Sequence, residues 1–146
     1  MAVNISKEGL ELIKRWEQLR LKPYDDGAGF QTIGWGHKIR KEEDFGEEIS
    51  VETANALLVG DVLDAEKAVH GAAQVPLRQN EYDALVSLAY NIGAGNFARS
   101  TLVQKLNEKD YLAAARHILD WVFIKGKPSL GLFRRRLAEA ARFVGP

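Results

Sequence analysis

Apolar residues recur at steps of three and four over most of this chain, and that spacing predicts a mainly helical protein. In residues 6–18, Leu10, Ile13 and Trp16 with Leu12 make one apolar side, Ser6 stands at the cap position, and Glu8 and Glu11 suit the early turns. Pro23 prevents continuation. From 22 to 40 the pattern changes: Tyr24, Phe30, Thr32, Ile33 and Trp35 are interleaved with Gly27, Gly29, Gly34 and Gly36. That predicts a hairpin or three-stranded sheet with a turn around Asp26–Gly29. Residues 41–48 are polar and acidic, as a surface loop would be.

Helical spacing resumes at Ser50, a natural cap, where Val51, Ala54, Leu58, Val62, Ala65 and Val69 line one face until Pro76 interrupts. Tyr82, Leu85, Val86, Ala89 and Ile92 mark the next helix, ended by Gly93, and the scarcity of charge from 84 to 97 makes it the buried centre of a larger lobe. Ser100 is expected to cap a short helix through Leu106, and Asp110 another that ends near Asp120, with Leu102, Leu106 and Leu112 in the core. Residues 126–131 read as a loop. In the last helix Phe133, Leu137, Ala140, Ala141 and Val144 are expected to pack, leaving Arg134, Arg135, Arg136, Glu139 and Arg142 mostly in water. One helix, a small β element and about five further helices make an α+β fold. The expected single domain, 1–146, has a small β-containing lobe (22–48) and a larger, mainly helical lobe (50–146).

Composition adds three constraints. Apolar residues make up 46% and charged residues 27%, which suits a packed protein and excludes a disordered one. Net charge is zero, yet residues 98–146 carry 10 Lys/Arg against 4 Asp/Glu, so this third could face a polyanion. There is no cysteine, so no disulfide supports the core. The N-terminal twenty residues mix charge with helical apolar spacing, which suits neither a secretory signal nor a membrane anchor and points to the cytoplasm as the place of synthesis.

The chemistry-bearing segment is Trp16–His37, WEQLRLKPYDDGAGFQTIGWGH. Glu17 ends the first amphipathic helix, Asp26 follows at a glycine turn, and Thr32 lies on the returning strand. Glycoside hydrolysis needs one protonated and one ionised carboxyl group flanking a bond. Glu17, beside apolar groups, suits the first role, and Asp26, in a polar turn with nearby N–H groups and a hydroxyl, suits the second. Spacing alone is weak support, because twenty acidic residues offer many such pairs. His37, His70 and His117 lie far apart without metal-ligand spacing, which favours structural histidines over a metal site. Gly34 and Gly36 lack the third glycine and helix start of a nucleotide loop.

The words around the carboxylates are more specific than their spacing. Glu17, Asp26 and Thr32, followed by Ile33-Gly34-Trp35-Gly36-His37, resemble the catalytic triad and the T-I-G-x-G-H strand of the phage lysozymes of glycoside hydrolase family 24. Val75–Leu85 is similar to that family's V-P-L-x-Q-x-Q-Y-D-A-L segment. Tyr90-Asn91-Ile92-Gly93 with Phe97 and Ser100-Thr101-Leu102 resembles its F-N-x-G…F…S-T-L stretch, and Gly131-Leu132 with Arg134–Arg136 its G-L-x-x-R-R end. The resemblance implies a lysozyme-like fold and cleavage of the β-1,4 bond between N-acetylmuramic acid and N-acetylglucosamine of bacterial peptidoglycan, with inversion and without metal or cofactor. It implies Glu17 as general acid, Asp26 as the second carboxylate and Thr32 as a positioner of water, with Lys38, Tyr90 and Ser100 lining the saccharide cleft. It further implies a monomer without stable membrane association or a nucleic-acid partner, released from the host cytoplasm to the periplasm and wall by a separate holin-type permeabiliser. One position departs from the family habit: Gln18 follows Glu17 where glycine is common. A silent wall-binding module, a basic nucleic-acid binder and a lytic transglycosylase are the competing readings; product chemistry separates the last, and a salt-dependent gel shift the second.

Overall fold

The computed structural model describes residues 4–27 and 29–146; Ala28, in the expected turn, lies outside the described residues. The chain divides into two compact units, residues 13–63 and residues 1–12 with 64–146. Helices α1 (Lys7–Glu17) and α2 (Val51–Ala72) each run through a boundary between them.

In the first unit, β1 (Arg20–Asp25), β2 (Gln31–Gly34) and β3 (His37–Lys38) form an antiparallel sheet in chain order. Tyr24 pairs with Thr32 and Thr32 with Lys38, but the β1–β2 register shifts between Arg20 and Tyr24, a bulge that contains Pro23. Proline has no N–H for the ladder, so a bulge is where a strand tolerates it. Successive strand residues point to opposite faces. Ile33 therefore goes into a small core with Ile49 and Ala54, flanked by Leu19, Leu21, Trp35, Ile39, Phe45 and Leu57. Ser50 caps α2 by accepting from the Thr53 N–H at 3.1 Å. On α2, Ala54, Leu58, Val62, Ala65 and Val69 are buried as their spacing predicts, whereas Val51 in the first turn is exposed.

The second unit is built on α3 (Gln79–Ile92), buried from Asn80 to Ala89. Its start is closed by Glu81, whose carboxylate accepts from the Arg78 N–H at 2.7 Å. Around it lie α4 (Ala94–Ala98), α5 (Thr101–Asn107) capped by Ser100, α6 (Tyr111–His117) capped by Asp110 and continued by a 3₁₀ turn to Asp120, and α7 (Leu130–Val144) capped by Ser129. Ser6 caps α1 through the Gly9 N–H and also bonds the buried carboxylate of Asp83, which accepts from Gln79 and Arg142 as well. Burial pushes the Asp83 pKa up, but these donors outweigh it and hold the group ionised below the usual carboxylate range.

Three expectations need correction. Residues 123–128 form a hairpin, β4 (Phe123–Ile124) with β5 (Lys127–Pro128), and α7 starts at Leu130 within the stretch expected to be loop. Its turn residues Lys125 and Gly126 both have positive φ, 49° and 79°, the conformation that matches the twist of a two-residue hairpin. Leu112 is 64% exposed and not core. The last helix departs from its expected faces: Arg135, Arg136 and Glu139 are buried beside Phe143, while Leu130, Phe133, Leu137 and Val144 face solvent and Arg134 is exposed as expected. The charges that turn inward pair with one another and with α3: Ser87 Oγ donates to Glu139 Oε2 at 2.6 Å, Arg135 Nε to the same oxygen at 3.2 Å, and Arg136 to Asn91 Oδ1.

Candidate functional site

The 13–63 unit holds four of the six candidate residues. Glu17 is the last residue of α1, and the helix ends there because Gln18 turns left-handed, φ 54°. A left-handed residue after the last turn is a common helix stop, and glycine is its usual occupant. The chain then enters β1 and returns through β2 to the Trp35–Gly36 turn. Gly36, φ 89°, meets the Glu17 carboxyl: a Cβ built there would collide with Oε1 and come within 3.1 Å of Cδ. Only glycine lets that carboxyl lie on the turn backbone.

Asp26 follows the last residue of β1 and is exposed. Its N–H donates to the Phe30 carbonyl at 3.0 Å, and its Oδ1 accepts from the Phe30 N–H at 3.1 Å. This pair of bonds fixes the carboxylate at the mouth of the β1–β2 turn. Asp25 instead accepts from the Gly27 N–H at 2.8 Å, so the two neighbouring carboxylates are held by different donors.

Thr32 is buried, and its Oγ1 donates to the Phe30 carbonyl at 3.3 Å. The register places Tyr24, Thr32 and Lys38 in one row across the three strands. Cross-strand partners share a face, so this row lies on the side of the sheet opposite Ile33. Lys38 reaches over the Phe30 ring, its Nζ 4.3 Å from the centroid.

Tyr24 is the member of this row that the motif words do not single out. Its pKa is raised, first by burial and then by the negative charge of Glu17, with Arg20 opposing and Asp26 adding to the rise. The phenol is thus within electrostatic reach of both carboxylates and stays neutral. Arg20 stacks on its ring, with Cζ 4.5 Å from the centroid. The signal available in the sequence was the alternation itself, since Tyr24 is two residues before Asp26 and shares a face with the residue opposite it.

His37, next to Lys38, is buried and bridged on both sides: Nδ1 lies 2.7 Å from Asp61 and Nε2 2.9 Å from Glu43. Burial alone would lower its pKa, but the hydrogen bonds and charges of Glu43 and Asp61 outweigh that and raise it. This pairing ties β3 to the 40–48 segment and to α2. The acidic loop therefore serves His37 through Glu43 and the small core through Phe45. Trp35 is half-buried, and its Nε1 donates to Asn55 at 2.9 Å.

Tyr90 and Ser100 belong to the other unit. Tyr90 lies near the end of α3 and is half-buried. Ser100 is buried and engaged as a cap, donating to the Phe97 carbonyl at 2.7 Å and accepting from the Val103 N–H. Among the described residues no group of three or more His, Asp or Glu side chains is arranged to hold a metal ion. None of the described helices is long and apolar enough to cross a membrane.

Comparison with known proteins gives the family. The chain is 43% identical over 145 residues to an endolysin of Acyrthosiphon pisum secondary endosymbiont phage 1, covering 97% of this chain and 98% of that protein. It is 41% identical to the endolysin of Salmonella phage P22, covering 94% and 97%. Among solved structures, the muramidase domain of SpmX from Asticaccaulis excentricus superposes with a TM-score of 0.88 at 35% identity, covering 99% of this chain and all of that one. A P22 lysozyme mutant gives 0.84 at 40% identity with the same coverage. The phage lysozyme family model matches residues 14–139, and with these relatives it shows that the chain belongs to the phage lysozyme family.

Proposed function

We propose that this chain is an endolysin that hydrolyses the β-1,4 bond between N-acetylmuramic acid and N-acetylglucosamine in peptidoglycan and so lyses the host cell. Glu17 is the general acid: its proton passes to the glycosidic oxygen as the C1–O bond breaks. Asp26 takes a proton from the attacking water, which Thr32 helps to orient, so that the anomeric centre inverts. The observation that carries the assignment is the seating of Glu17. Its carboxyl lies against Gly36, in the turn that follows the strand carrying Thr32, and Tyr24, two residues before Asp26, pairs with Thr32 across the sheet. Lys38, in the same row, and Tyr90 and Ser100, on the helical unit, are assigned to saccharide binding. The reaction needs no metal or cofactor. A monomer made in the host cytoplasm and released to the wall by a separate membrane permeabiliser completes the reading.

The test is turbidity clearing of outer-membrane-stripped cells, with chemical analysis of the released glycans. Glu17→Gln is expected to cut clearing by about a thousandfold or more while leaving the folded spectrum intact. Wild-type products should carry reducing muramic acid ends of inverted configuration by proton NMR. Undiminished clearing by Glu17→Gln removes it as the acid; anhydro ends would instead make the chain a transglycosylase.

A further inference from the structure

The turn that seats Glu17 is built on two glycines. Gly34 and Gly36 both take positive φ, 69° and 89°, on either side of Trp35. Glycine lets the carboxyl close on this backbone, but it gives the turn no stiffness of its own. Trp35 is the one side chain between them, and three contacts hold it. It packs against the small core of Ile33, Ile49 and Ala54. Its Nε1 donates to Oδ1 of Asn55 on α2 at 2.9 Å. Lys14 of α1 sets its ammonium over the ring, 5.3 Å from the centroid, close enough for attraction by the ring face. Lys14 and Glu17 are three residues apart and share one face of α1. That face presents an ammonium to Trp35 and a carboxyl to Gly36, neighbouring residues of the same turn. A Cβ on Gly34 would come within 3.4 Å of Ala54 Cβ, so α2 touches this backbone at the residue before Asn55.

We propose that Trp35 is a positioning residue for Glu17: through Asn55 and Lys14 it ties the 34–36 turn to α2 and to α1, and so fixes where the carboxyl rests. The proposal rests on the assignment of Glu17 as general acid. A proton donor must come within hydrogen-bond reach of the glycosidic oxygen, and a displacement of about 1 Å can cost up to about a hundredfold in rate. An aliphatic residue at 35 would fill the small core, but it offers neither an N–H for Asn55 nor a ring face for the Lys14 ammonium. A platform for stacking on a sugar is the competing role for an aromatic side chain beside this site. It fits less well, because Trp35 is half-buried against the small core and already carries the Lys14 ammonium.

The experiment measures kcat and KM on solubilised peptidoglycan for wild type, Trp35→Phe, Asn55→Ala and the double variant. Trp35→Phe keeps an aromatic ring against the small core and removes the indole N–H, and Asn55→Ala removes its acceptor. Each single variant is expected to lower kcat by about tenfold with KM within about twofold. The double variant should lose no more than the larger single loss, since both changes cut one bond. A second readout does not depend on hydrolysis: the amide resonance of Gly36 in isotope-labelled protein. Glu17→Gln should shift it in the wild-type background, and that shift should shrink in the Trp35→Phe background, where the carboxyl leaves its seat. The proposal is overturned if kcat is unchanged in both single variants, or if KM rises with kcat unchanged, as for a sugar platform. It is overturned equally if Gly36 responds to Glu17→Gln to the same extent in both backgrounds. Full activity of Glu17→Gln would instead remove the acid assignment, and the Gly36 response would still decide whether Trp35 seats that carboxyl.

Discussion

Gln18 occupies a left-handed backbone position that a side chain with a Cβ adopts at a cost, and it does so immediately after the proposed acid. The family habit of glycine there has a conformational reason, since the helix must stop for Glu17 to meet Gly36. Gln18→Gly is expected to raise stability by about 0.5–1 kcal/mol, the strain relieved exceeding the entropy that glycine adds to the unfolded chain. Urea midpoints measure this; a lower midpoint would show that the Gln18 side chain contributes more than its backbone costs. His37 makes a second prediction at this scale. Its folded pKa lies above the ordinary 6.5, so its bridge is complete below that value and is lost as pH rises through the raised one. Burial pushes the Glu43 pKa up, but the Arg40 N–H and His37 outweigh this and lower it, so its share is present above the ordinary 4.5 and is lost as pH falls through the lowered value. Comparison of wild type with His37→Asn should therefore give a gap of about 2–3 kcal/mol between those limits, shrinking toward pH 9. A gap that stays constant or widens with pH would remove the imidazolium from the bridge. The motif words place His37 on the strand, but they carry no trace of Asp61, 24 residues on, or of Glu43, six residues on in the loop, because neither separation makes a helix or strand repeat.

At the scale of elements, the sheet, its turns and most caps were legible because each depends on neighbours in sequence: Ser50, Ser100 and Asp110 all cap as expected. Helix α7 was not. Its periodicity is real, but amphipathic spacing states only that a helix has two faces, and the usual inference that the apolar one is buried assumes that charges stay in water. Here charges pair with one another inside: Arg136 Nε and Glu139 Oε1, both fully buried, lie 3.1 Å apart, and Ser87 donates to the other Glu139 oxygen. The β4–β5 hairpin escaped for a related reason, since Lys125 stands in a positive-φ turn position usually held by asparagine or glycine. Removing the shared carboxylate exposes the consequence. Glu139→Ala should destabilise the protein by about 3–5 kcal/mol, because two buried guanidinium groups lose their counter-charge. Chemical denaturation decides it; a loss below about 1 kcal/mol would mean that water reaches the arginines and that α7 is free to turn.

At the scale of the molecule, hydrophobic periodicity treats each helix as one stretch and cannot register that α2 belongs to the sheet-bearing unit up to Leu63 and to the helical unit from Asp64. That division has energetic content. The 13–63 unit is centred on three buried residues, Ile33, Ile49 and Ala54, with six partly covered neighbours. The helical unit buries Leu85, Leu88, Phe97, Leu102, Leu106, Ile118 and Phe143 almost completely. Local opening is governed by how much apolar area a segment must expose, so the smaller core should open at a lower free energy than the larger. Native-state hydrogen exchange is therefore expected to release the Ile33 amide at least about tenfold faster than that of Leu85, a gap of about 1.4 kcal/mol or more. The elements proposed to carry Glu17, Asp26 and Thr32 would then be the ones that breathe, as suits a site that must admit a polymer, while α3 keeps the fold. Equal protection at the two amides would mean a single cooperative unit, and the opening of that sheet would require unfolding of the whole chain.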